Sequence, residues 1–297
     1  MAAALVLAGH DKDLGGGFTV SRLLPAARKR SVGPFVFFDH FGPVTEHPGE
    51  NHDVRPHPHI GLATVTYLFE GAMLHRDSLG SVQRIEPGAI NWMSAGRGIV
   101  HSERKPDDLK ARAFINHGLQ LWVGLPEAKE ETEPSFVHTP AGAIPQVQVD
   151  AAQVRVLVGE AFGARSPVVP ASPTLYLDVA LPQGGTFALP PIAAELAVYP
   201  VQGALALDGQ AMLPHQMLVI EPGATARIDA TGGARFVVVG GDAIGPRYMY
   251  WNFVSSSKER ILQASEDWDA GRFGRVPGET EFIPLPPTKF TPPEPMS

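Results

Sequence analysis

One pattern of strands and turns occurs twice along this chain and constrains the fold more than any other feature. The segments YLFEGA at 67–72 and IEPGA at 85–89 return as YPVQGA at 199–204 and VIEPGA at 219–224. The spacing is nearly the same in both copies. A period of about 130 residues is too long for a solenoid and indicates a duplicated domain.

Glycine and proline separate the short apolar runs of both copies. The 297 residues include 31 glycines and 29 prolines, about a fifth of the chain against roughly 12% in an average protein. Together with 44% hydrophobic residues, this composition indicates many short strands and turns, as in an all-β protein. The boundary falls in the polar stretch between Glu130 and Pro145, and we predict domains over residues 1–137 and 138–297.

Six segments carry the clearest strand signals, because they are rich in β-branched and aromatic residues and end at Gly, Pro or Asp. They cover residues 35–38, 63–68, 118–123, 154–158, 175–179 and 236–239. A clear helical pattern occurs only near the end of the chain. There Ser256 and Glu259 predict a capping box, Ile261 and Ala264 share one face, and Gly271 ends the run.

Charge and composition exclude several classes of protein. A net charge of -7 argues against a general nucleic-acid binder, because no basic excess is present to neutralise phosphates. Without cysteine, the chain has neither disulfides nor thiolate metal ligands. No apolar run approaches bilayer-spanning length, and the opening MAAALVLA lacks a basic region and predicts a strand rather than a signal peptide. We therefore expect a cytoplasmic protein that binds neither membranes nor nucleic acids directly.

Two pairs of alternate residues carry metal-binding side chains: His57 with His59, and His101 with Glu103. In an extended strand residues i and i+2 lie on the same face, so each pair directs two donors toward one point. If the two strands face each other, the four donors suit a divalent first-row metal such as iron, manganese, nickel, copper or zinc. The alternative is four unrelated polar residues in loops and edge strands, which two same-face pairs disfavour.

The two copies differ in this chemistry. Eight of the 11 histidines lie between positions 40 and 117, whereas the second copy keeps only His215. Where the first copy has His101 and Glu103, the second has Ala226, Ile228 and Ala230. We therefore predict one metal site, in the first domain alone.

Longer motifs are similar to those of the pirin family, within the cupin superfamily. They are GGGFTV at 15–20, GPFVFFDHFGP at 33–43, RPHPHIG at 55–61, HRDSLG at 75–80, WMSAGRGIVHSE at 92–103 and GLQLWV at 118–123. These motifs cover most of residues 15–126. The second half matches more loosely, through SPV at 166–168 and YLDV at 176–179.

This resemblance implies a bicupin, two antiparallel jelly-roll β-barrels, to which the sequence adds a short C-terminal helix. The N-terminal cupin would bind the metal and the C-terminal cupin would be degenerate. The ligands of the family fall on His57, His59, His101 and Glu103. The family metal is usually iron, so we expect iron(II), while manganese, nickel, copper, cobalt or zinc also suit the ligand types. A monomer is the default that the resemblance implies.

One departure from the family concerns the carboxylate. Many cupins, and many pirins, carry a Glu four residues after the second histidine, and here that position is Ala63. Glu103 must then supply the carboxylate ligand.

The resemblance leaves the function open between different classes. Some pirins cleave the flavonol quercetin with O2, which implies a dioxygenase for a small aromatic substrate. Glu103 would then be both a metal ligand and the catalytic base for the 3-hydroxyl of the substrate. The alternative is a non-enzymatic, redox-sensing regulator whose iron changes a surface that binds a transcription factor or metabolic enzyme. A third reading is a bicupin in which the metal only stabilises the first barrel.

Several neighbouring polar residues carry weaker expectations. We expect the His75–Asp77 segment to form an ion-pair network in a hairpin loop. Residues 39–40 either lie near the metal or close a turn. His47 and His52 are expected to be exposed, and His117 to be structural.

Overall fold

The computed structural model describes residues 3–14 and 18–288, so the glycines at 15–17 of the first pirin motif lie outside the described residues. These residues form two compact units, each of which draws on more than one part of the sequence. The first unit comprises residues 3–11, 21–38 and 142–244, and the second comprises 12–14, 18–20, 39–141 and 245–288. The segment after residue 244 thus packs in the same unit as residues 39–141. The sequence boundary at residue 137 stays a prediction.

The described residues form 26 strands, three short 3-10 helices and one α-helix. In chain order the strands of the first half are β1 (Ala3–Ala8), β2 (His10–Asp13), β3 (Thr19–Leu24), β4 (Phe35–Glu46), β5 (Val54–His59), β6 (Leu62–Glu70), β7 (Met73–Asp77), β8 (Val82–Ile85), β9 (Ile90–Ser94), β10 (Ile99–Arg104), β11 (Phe114–Gly124), β12 (Ser135–Thr139) and β13 (Gln146–Val149). Those that follow are β14 (Ala152–Val158), β15 (Glu160–Ala161), β16 (Ala164–Arg165), β17 (Thr174–Leu181), β18 (Thr186–Leu189), β19 (Glu195–Gln202), β20 (Leu205–Leu207), β21 (Gln210–Met212), β22 (Gln216–Ile220), β23 (Ala226–Ala230), β24 (Ala234–Gly241), β25 (Tyr248–Tyr250) and β26 (Phe253–Ser255). The helices are the 3-10 turns Asp107–Leu109, Glu127–Lys129 and Ala141–Ala143, and α1 (Lys258–Asp269).

Each unit is built from one seven-stranded and one four-stranded sheet. The first unit has the orders β1-β22-β19-β24-β17-β14-β13 and β18-β23-β20-β21. The other pair, which belongs mostly to the second unit, has the orders β12-β9-β6-β11-β4-β3-β2 and β5-β10-β7-β8. Neighbouring strands run antiparallel, as in β6–β11 and β17–β24. The predicted all-β architecture of two jelly-roll barrels with one C-terminal helix is confirmed.

All six predicted strands are present, within β4, β6, β11, β14, β17 and β24. The capping of α1 differs from the prediction by one residue. The side chain of Ser257, not that of Ser256, accepts the hydrogen bond from the third helical N–H at 3.3 Å, and its hydroxyl donates to Glu259 at 2.8 Å. Ser256 instead donates to the buried carboxylate of Glu130.

The duplication is real, but only one of the two repeated turns is equivalent between the copies. Strands β6 and β19 hold the same position in the orders β9-β6-β11-β4 and β22-β19-β24-β17, so the segments that end at Gly71 and Gly203 correspond. The Glu-Pro-Gly turn at Gly88 precedes β9, whereas the one at Gly223 follows β22. Both glycines have positive φ, 82° and 77°. The shared tripeptide therefore reflects a shared turn conformation, not a shared place in the fold.

The interior of the first unit is apolar. Strand β23 corresponds to β10, and its Ala226, Ile228 and Ala230 lie in one buried cluster with Phe187 and Phe236. The predicted contrast between the copies is confirmed, because apolar side chains in this barrel occupy the position where the other barrel carries histidines.

The start of the chain forms the strand that the sequence predicts. Residues Ala3–Ala8 form β1, the strand predicted there, and β1 pairs with β22. Within the described residues, no helix is long and apolar enough to cross a bilayer.

Candidate metal centre

Strand β5 presents His57 and His59 on one face because its sequence enforces an extended backbone. In the run Arg55-Pro56-His57-Pro58, each residue that precedes a proline is restricted to extended conformations. The missing proline N–H groups are tolerated because β5 lies at the edge of its sheet. Alternate residues of such a strand point the same way.

His101 completes a group of three imidazoles. In the β5–β10 pairing it lies directly opposite His57. The ring centroids are 4.4 Å apart for His57 and His101, and 5.0 Å apart for His59 with either of the others. One nitrogen from each ring lies within 4.8 Å of the others, and the described residues contain no second group of this kind. The structure therefore brings together three of the four predicted ligands.

Hydrogen bonds fix which nitrogen of two of these rings is available. Nδ1 of His57 lies 2.8 Å from the Arg55 carbonyl oxygen, and Nδ1 of His59 lies 3.1 Å from that of Asn252. A carbonyl only accepts, so both Nδ1 atoms carry the proton and both Nε2 atoms keep a lone pair. His101 is 1% exposed, and neither of its nitrogens has a hydrogen-bond partner. A buried polar group without a partner is costly, and a bound metal would satisfy it.

Burial also sets the protonation state of the group. Burial, with a smaller contribution from the nearby His75, lowers the pKa of His57 to about 4, against the opposing effect of the hydrogen bond with the Arg55 carbonyl. The pKa values of His59 and His101 lie well below the usual range, first because of burial and then because of the neighbouring imidazoles. All three rings are neutral near pH 7, the state in which imidazole binds metals.

Glu103 lies on β10 two residues beyond His101, but the compact group does not include it. Between His101 and Glu103 the register with β5 shifts, since His101 faces His57 while Glu103 faces Val54. This bulge places one extra residue on β5 and changes the direction of the side chains around it. Glu103 is buried, and burial raises the pKa of its carboxyl to about 7.

Three residues of the facing sheet reach this site, and the sequence alone did not single them out. Gln120 Nε2 donates to Glu103 Oε1 at 3.1 Å, and Thr66 Oγ1 donates to Gln120 Oε1 at 2.8 Å. The ring of Trp122 packs edge-on against His59, with centroids 5.1 Å apart. Gln120 and Trp122 alternate along β11, so the available signal was the period of two within a strand already predicted.

His75 and Asp77 contact each other, as predicted, with Nε2 and Oδ2 3.0 Å apart. They lie on strand β7, not in a hairpin loop, beside the candidate metal centre. In the β7–β10 pairing His75 faces Glu103, and its ring lies 5.3 Å from that of His101. Phe136 stacks on the ring of His75, with centroids 4.2 Å apart. Although burial alone would raise it, hydrogen bonds from His75 and Ser81 lower the pKa of Asp77.

The remaining predicted residues lie outside the group. His40 and His117 are buried and hydrogen-bond to each other through their Nε2 atoms at 2.9 Å. His47 is exposed, as predicted. The prediction for His52 is wrong, because its ring stacks on Phe18 with centroids 5.3 Å apart and only 12% of the side chain is exposed.

Two jelly-roll units of equivalent sheet order, one with a group of neutral buried histidines and one with an apolar interior, define a bicupin with one candidate metal centre. Family models named Pirin and Pirin C-terminal cupin domain match residues 17–123 and 176–274. The chain belongs to the pirin family.

Relatives of known name or structure match nearly the whole chain. A pirin-like protein of Caulobacter vibrioides is 47% identical over 287 residues, 95% of this chain and 99% of the relative. Human pirin is 33% identical over 279 residues, 91% of this chain and 93% of its own length. The crystal structure of a quercetin 2,3-dioxygenase from Acinetobacter baumannii is 34% identical, with a TM-score of 0.89 and 97% of each chain covered.

Proposed function

We propose that this chain is a metal-dependent flavonol 2,3-dioxygenase of the quercetinase type and that its metal is iron(II). The observation that carries the proposal is the buried, neutral group of His57, His59 and His101, in which both His101 nitrogens lack a partner. The similarity to a quercetin 2,3-dioxygenase over 97% of both chains supports the choice of substrate.

We assign different roles to the residues of the site. His57 and His59 would hold the metal through Nε2, because their Nδ1 atoms donate to backbone carbonyls. Iron(II) held by these residues would supply open coordination positions and redox chemistry toward O2. The overall reaction adds both atoms of O2 to the flavonol and releases one carbon as carbon monoxide.

Glu103 is the proposed fourth ligand and the proposed base for the 3-hydroxyl of the flavonol. Its Oε1 accepts from Gln120, which leaves Oε2 for the cation or the proton. A carboxyl with a pKa near 7 can accept a proton and return it near neutral pH, which suits general base catalysis. This role keeps the proton transfer inside the barrel, where water is largely excluded.

The cavity beside Glu103 is too small for the proposed substrate. The cavity that touches Glu103 has a volume of about 30 Å³ and is also lined by Glu46, His52 and Asn116. Such a volume holds a water molecule, whereas pockets for drug-sized ligands measure about 300–1,000 Å³. A flavonol would therefore enter this cavity only if the side chains that line it moved apart.

The experiment measures metal content, O2 consumption and carbon monoxide release with quercetin after anaerobic loading with iron(II). We expect turnover in the native chain, loss of metal and turnover in His101→Ala, and native behaviour in His47→Ala, which removes an exposed histidine outside the group. A fully loaded native chain that neither consumes O2 nor releases carbon monoxide would refute the dioxygenase. An iron-dependent regulator, and a bicupin in which the metal only stabilises the first barrel, would then remain as alternatives.

A further inference from the structure

We infer that the hairpin β25–β26 from the C-terminal segment is a positioning element of the metal centre. It sets the tautomer and orientation of His59 through the backbone carbonyl of Asn252. This inference rests on the proposed metal site, and it adds a role for a segment about 190 residues away in sequence.

The hairpin reaches the site through a two-residue loop. Tyr250 pairs with Phe253, so Trp251 and Asn252 form the turn between the strands. The Asn252 carbonyl oxygen lies 3.1 Å from Nδ1 of His59. Because this carbonyl holds the proton on Nδ1, Nε2 is left as the metal-binding atom.

The turn that delivers this carbonyl is strained. Trp251 has a φ of 52°, in the left-handed region where two-residue hairpins normally carry Gly, Asn or Asp. A bulky residue is unfavourable in this conformation and is held there only by surrounding contacts. The indole packs against Phe253 and Trp268, with centroids 5.5 Å and 6.3 Å apart. Such strain tends to persist where the conformation serves a site.

The hairpin is hydrogen-bonded to Ile60, the residue that follows His59 at the end of β5. Val254 N donates to the Ile60 carbonyl at 3.2 Å, and Ile60 forms a parallel bridge with Phe253. A Cβ atom on Gly61 would lie 1.9 Å from the Val254 carbonyl oxygen. Only glycine allows the hairpin to approach β5 this closely.

A buried ion pair holds the other side of the hairpin. Arg247 Nε lies 2.7 Å from Glu130 Oε1, and both side chains are about 95% buried. The same carboxylate accepts from Ser255 Oγ at 3.1 Å. The two strands of the hairpin are thereby fixed to the unit that contains the metal centre.

The C-terminal segment after α1 also forms hydrogen bonds with β5 and β10, the two strands that carry the proposed ligands. Ile283 N donates to the Pro56 carbonyl at 2.8 Å, one residue before His57. Glu279 accepts from Ser102 Oγ, between His101 and Glu103, and pairs with Arg104. The C-terminal segment therefore contacts the chain beside every proposed ligand.

The test compares substitutions at Trp251 that all remove the indole but differ in their tolerance of positive φ. Gly and Asn accept the left-handed conformation, whereas Ala and above all Val resist it. We expect Trp251→Gly and Trp251→Asn to keep an affinity for iron(II) close to that of the native chain. We expect Trp251→Val to bind iron(II) roughly 10- to 100-fold more weakly, which is the usual effect of disturbing the hydrogen-bond partner of a metal-binding histidine. Trp251→Ala should fall between them.

Two readouts separate this inference from a general loss of stability. Metal affinity is measured by chelator competition with iron(II) and with redox-inert zinc(II). The ring ¹⁵N shifts of His59 in the metal-free protein report its tautomer, which should be Nδ1–H in the native and Gly chains and mixed in Val. Equal metal affinities and equal His59 tautomers across the series would overturn the inference. If Trp251→Val does not fold, the comparison of Trp251→Asn with Trp251→Ala provides the same test. A native chain that binds no metal would instead refute the proposed function, while the tautomer still tests the hairpin.

Discussion

Gln120 on β11 donates a hydrogen bond of 3.1 Å to Glu103 on β10 and so links the two sheets of the barrel that contains the three histidines. Thr66 donates to the other end of the Gln120 amide, which orients the NH2 group toward the carboxylate. The partner of Glu103 is thus a neutral amide, and burial dominates the pKa of the carboxyl, raising it to about 7.

Metal binding should release a proton if Glu103 is a ligand. At pH 6 this carboxyl is mostly protonated while the three histidines are neutral, so we expect release of about one proton per metal, falling toward zero by pH 8.5. Titration calorimetry in buffers of different ionisation enthalpy measures this number. Glu103→Gln should abolish the release at pH 6 and weaken binding. Equal release from both chains would exclude Glu103 as the titrating ligand.

The amide of Gln120 should support metal affinity through Glu103. Gln120→Leu removes the donor at similar volume, and we expect the affinity for iron(II) to fall roughly 10-fold. Gln153→Leu, at an exposed position of β14, is the matched control and should bind like the native chain. Chelator competition gives both constants. An unchanged constant in Gln120→Leu would show that this hydrogen bond does not organise the site.

The buried pair of Arg247 and Glu130 should contribute to stability far more than an exposed pair. Glu130→Gln leaves the Arg247 charge buried without its counter-ion, and we expect the free energy of unfolding to fall by about 3–5 kcal/mol. Glu133→Gln breaks the exposed pair with Arg97 and should cost about 0–1 kcal/mol. Denaturant unfolding measures both. Similar losses in the two variants would contradict the assignment of Glu130 as the anchor of the hairpin.

Stability of the metal-free protein should depend on pH through Glu103. Its folded pKa of about 7 lies above the ordinary 4.5, so its contribution is present below pH 4.5 and is lost as pH rises through 7. The expected loss is on the order of 3 kcal/mol. His57 acts in the opposite direction, because its contribution is present above pH 6.5 and is lost as pH falls through about 4.

Unfolding curves of the metal-free chain between pH 4 and pH 8.5 test both slopes. The difference in free energy of unfolding between the native chain and Glu103→Gln should fall by about 3 kcal/mol between pH 5 and pH 8, because the three buried histidines titrate alike in both chains. The same difference for Glu133→Gln, at an exposed position, should stay constant. A difference between the native chain and Glu103→Gln that does not fall over that interval would show that Glu103 is not held in its protonated form.

The sequence predicts the strands and the three histidines because both depend on local rules. Alternate prolines force β5 to be extended, so the spacing of His57 and His59 determines their common face. The hydrogen-bond partner of His59, in contrast, does not follow from any local rule. The acceptor at Asn252 is a backbone carbonyl 193 residues away, and no side-chain type marks it in the sequence.

Other differences also arise from packing across the sheets. Gln120 reaches Glu103 only because β11 and β10 belong to facing sheets. The sequence of either strand alone does not predict how the two sheets are aligned. His52 lies in a polar, proline-flanked stretch, but its ring is covered by Phe18. The two Glu-Pro-Gly turns show the same limit, since a turn tripeptide specifies local φ values and not a place in the sheet.

The most direct test of the account is an anomalous-difference map from crystals of the iron-loaded protein. We predict one strong peak per chain, bounded by Nε2 of His57, Nε2 of His59 and a ring nitrogen of His101, and no peak inside the barrel that contains Ile228. An empty position between the three histidines, or iron bound elsewhere in the chain, would contradict it.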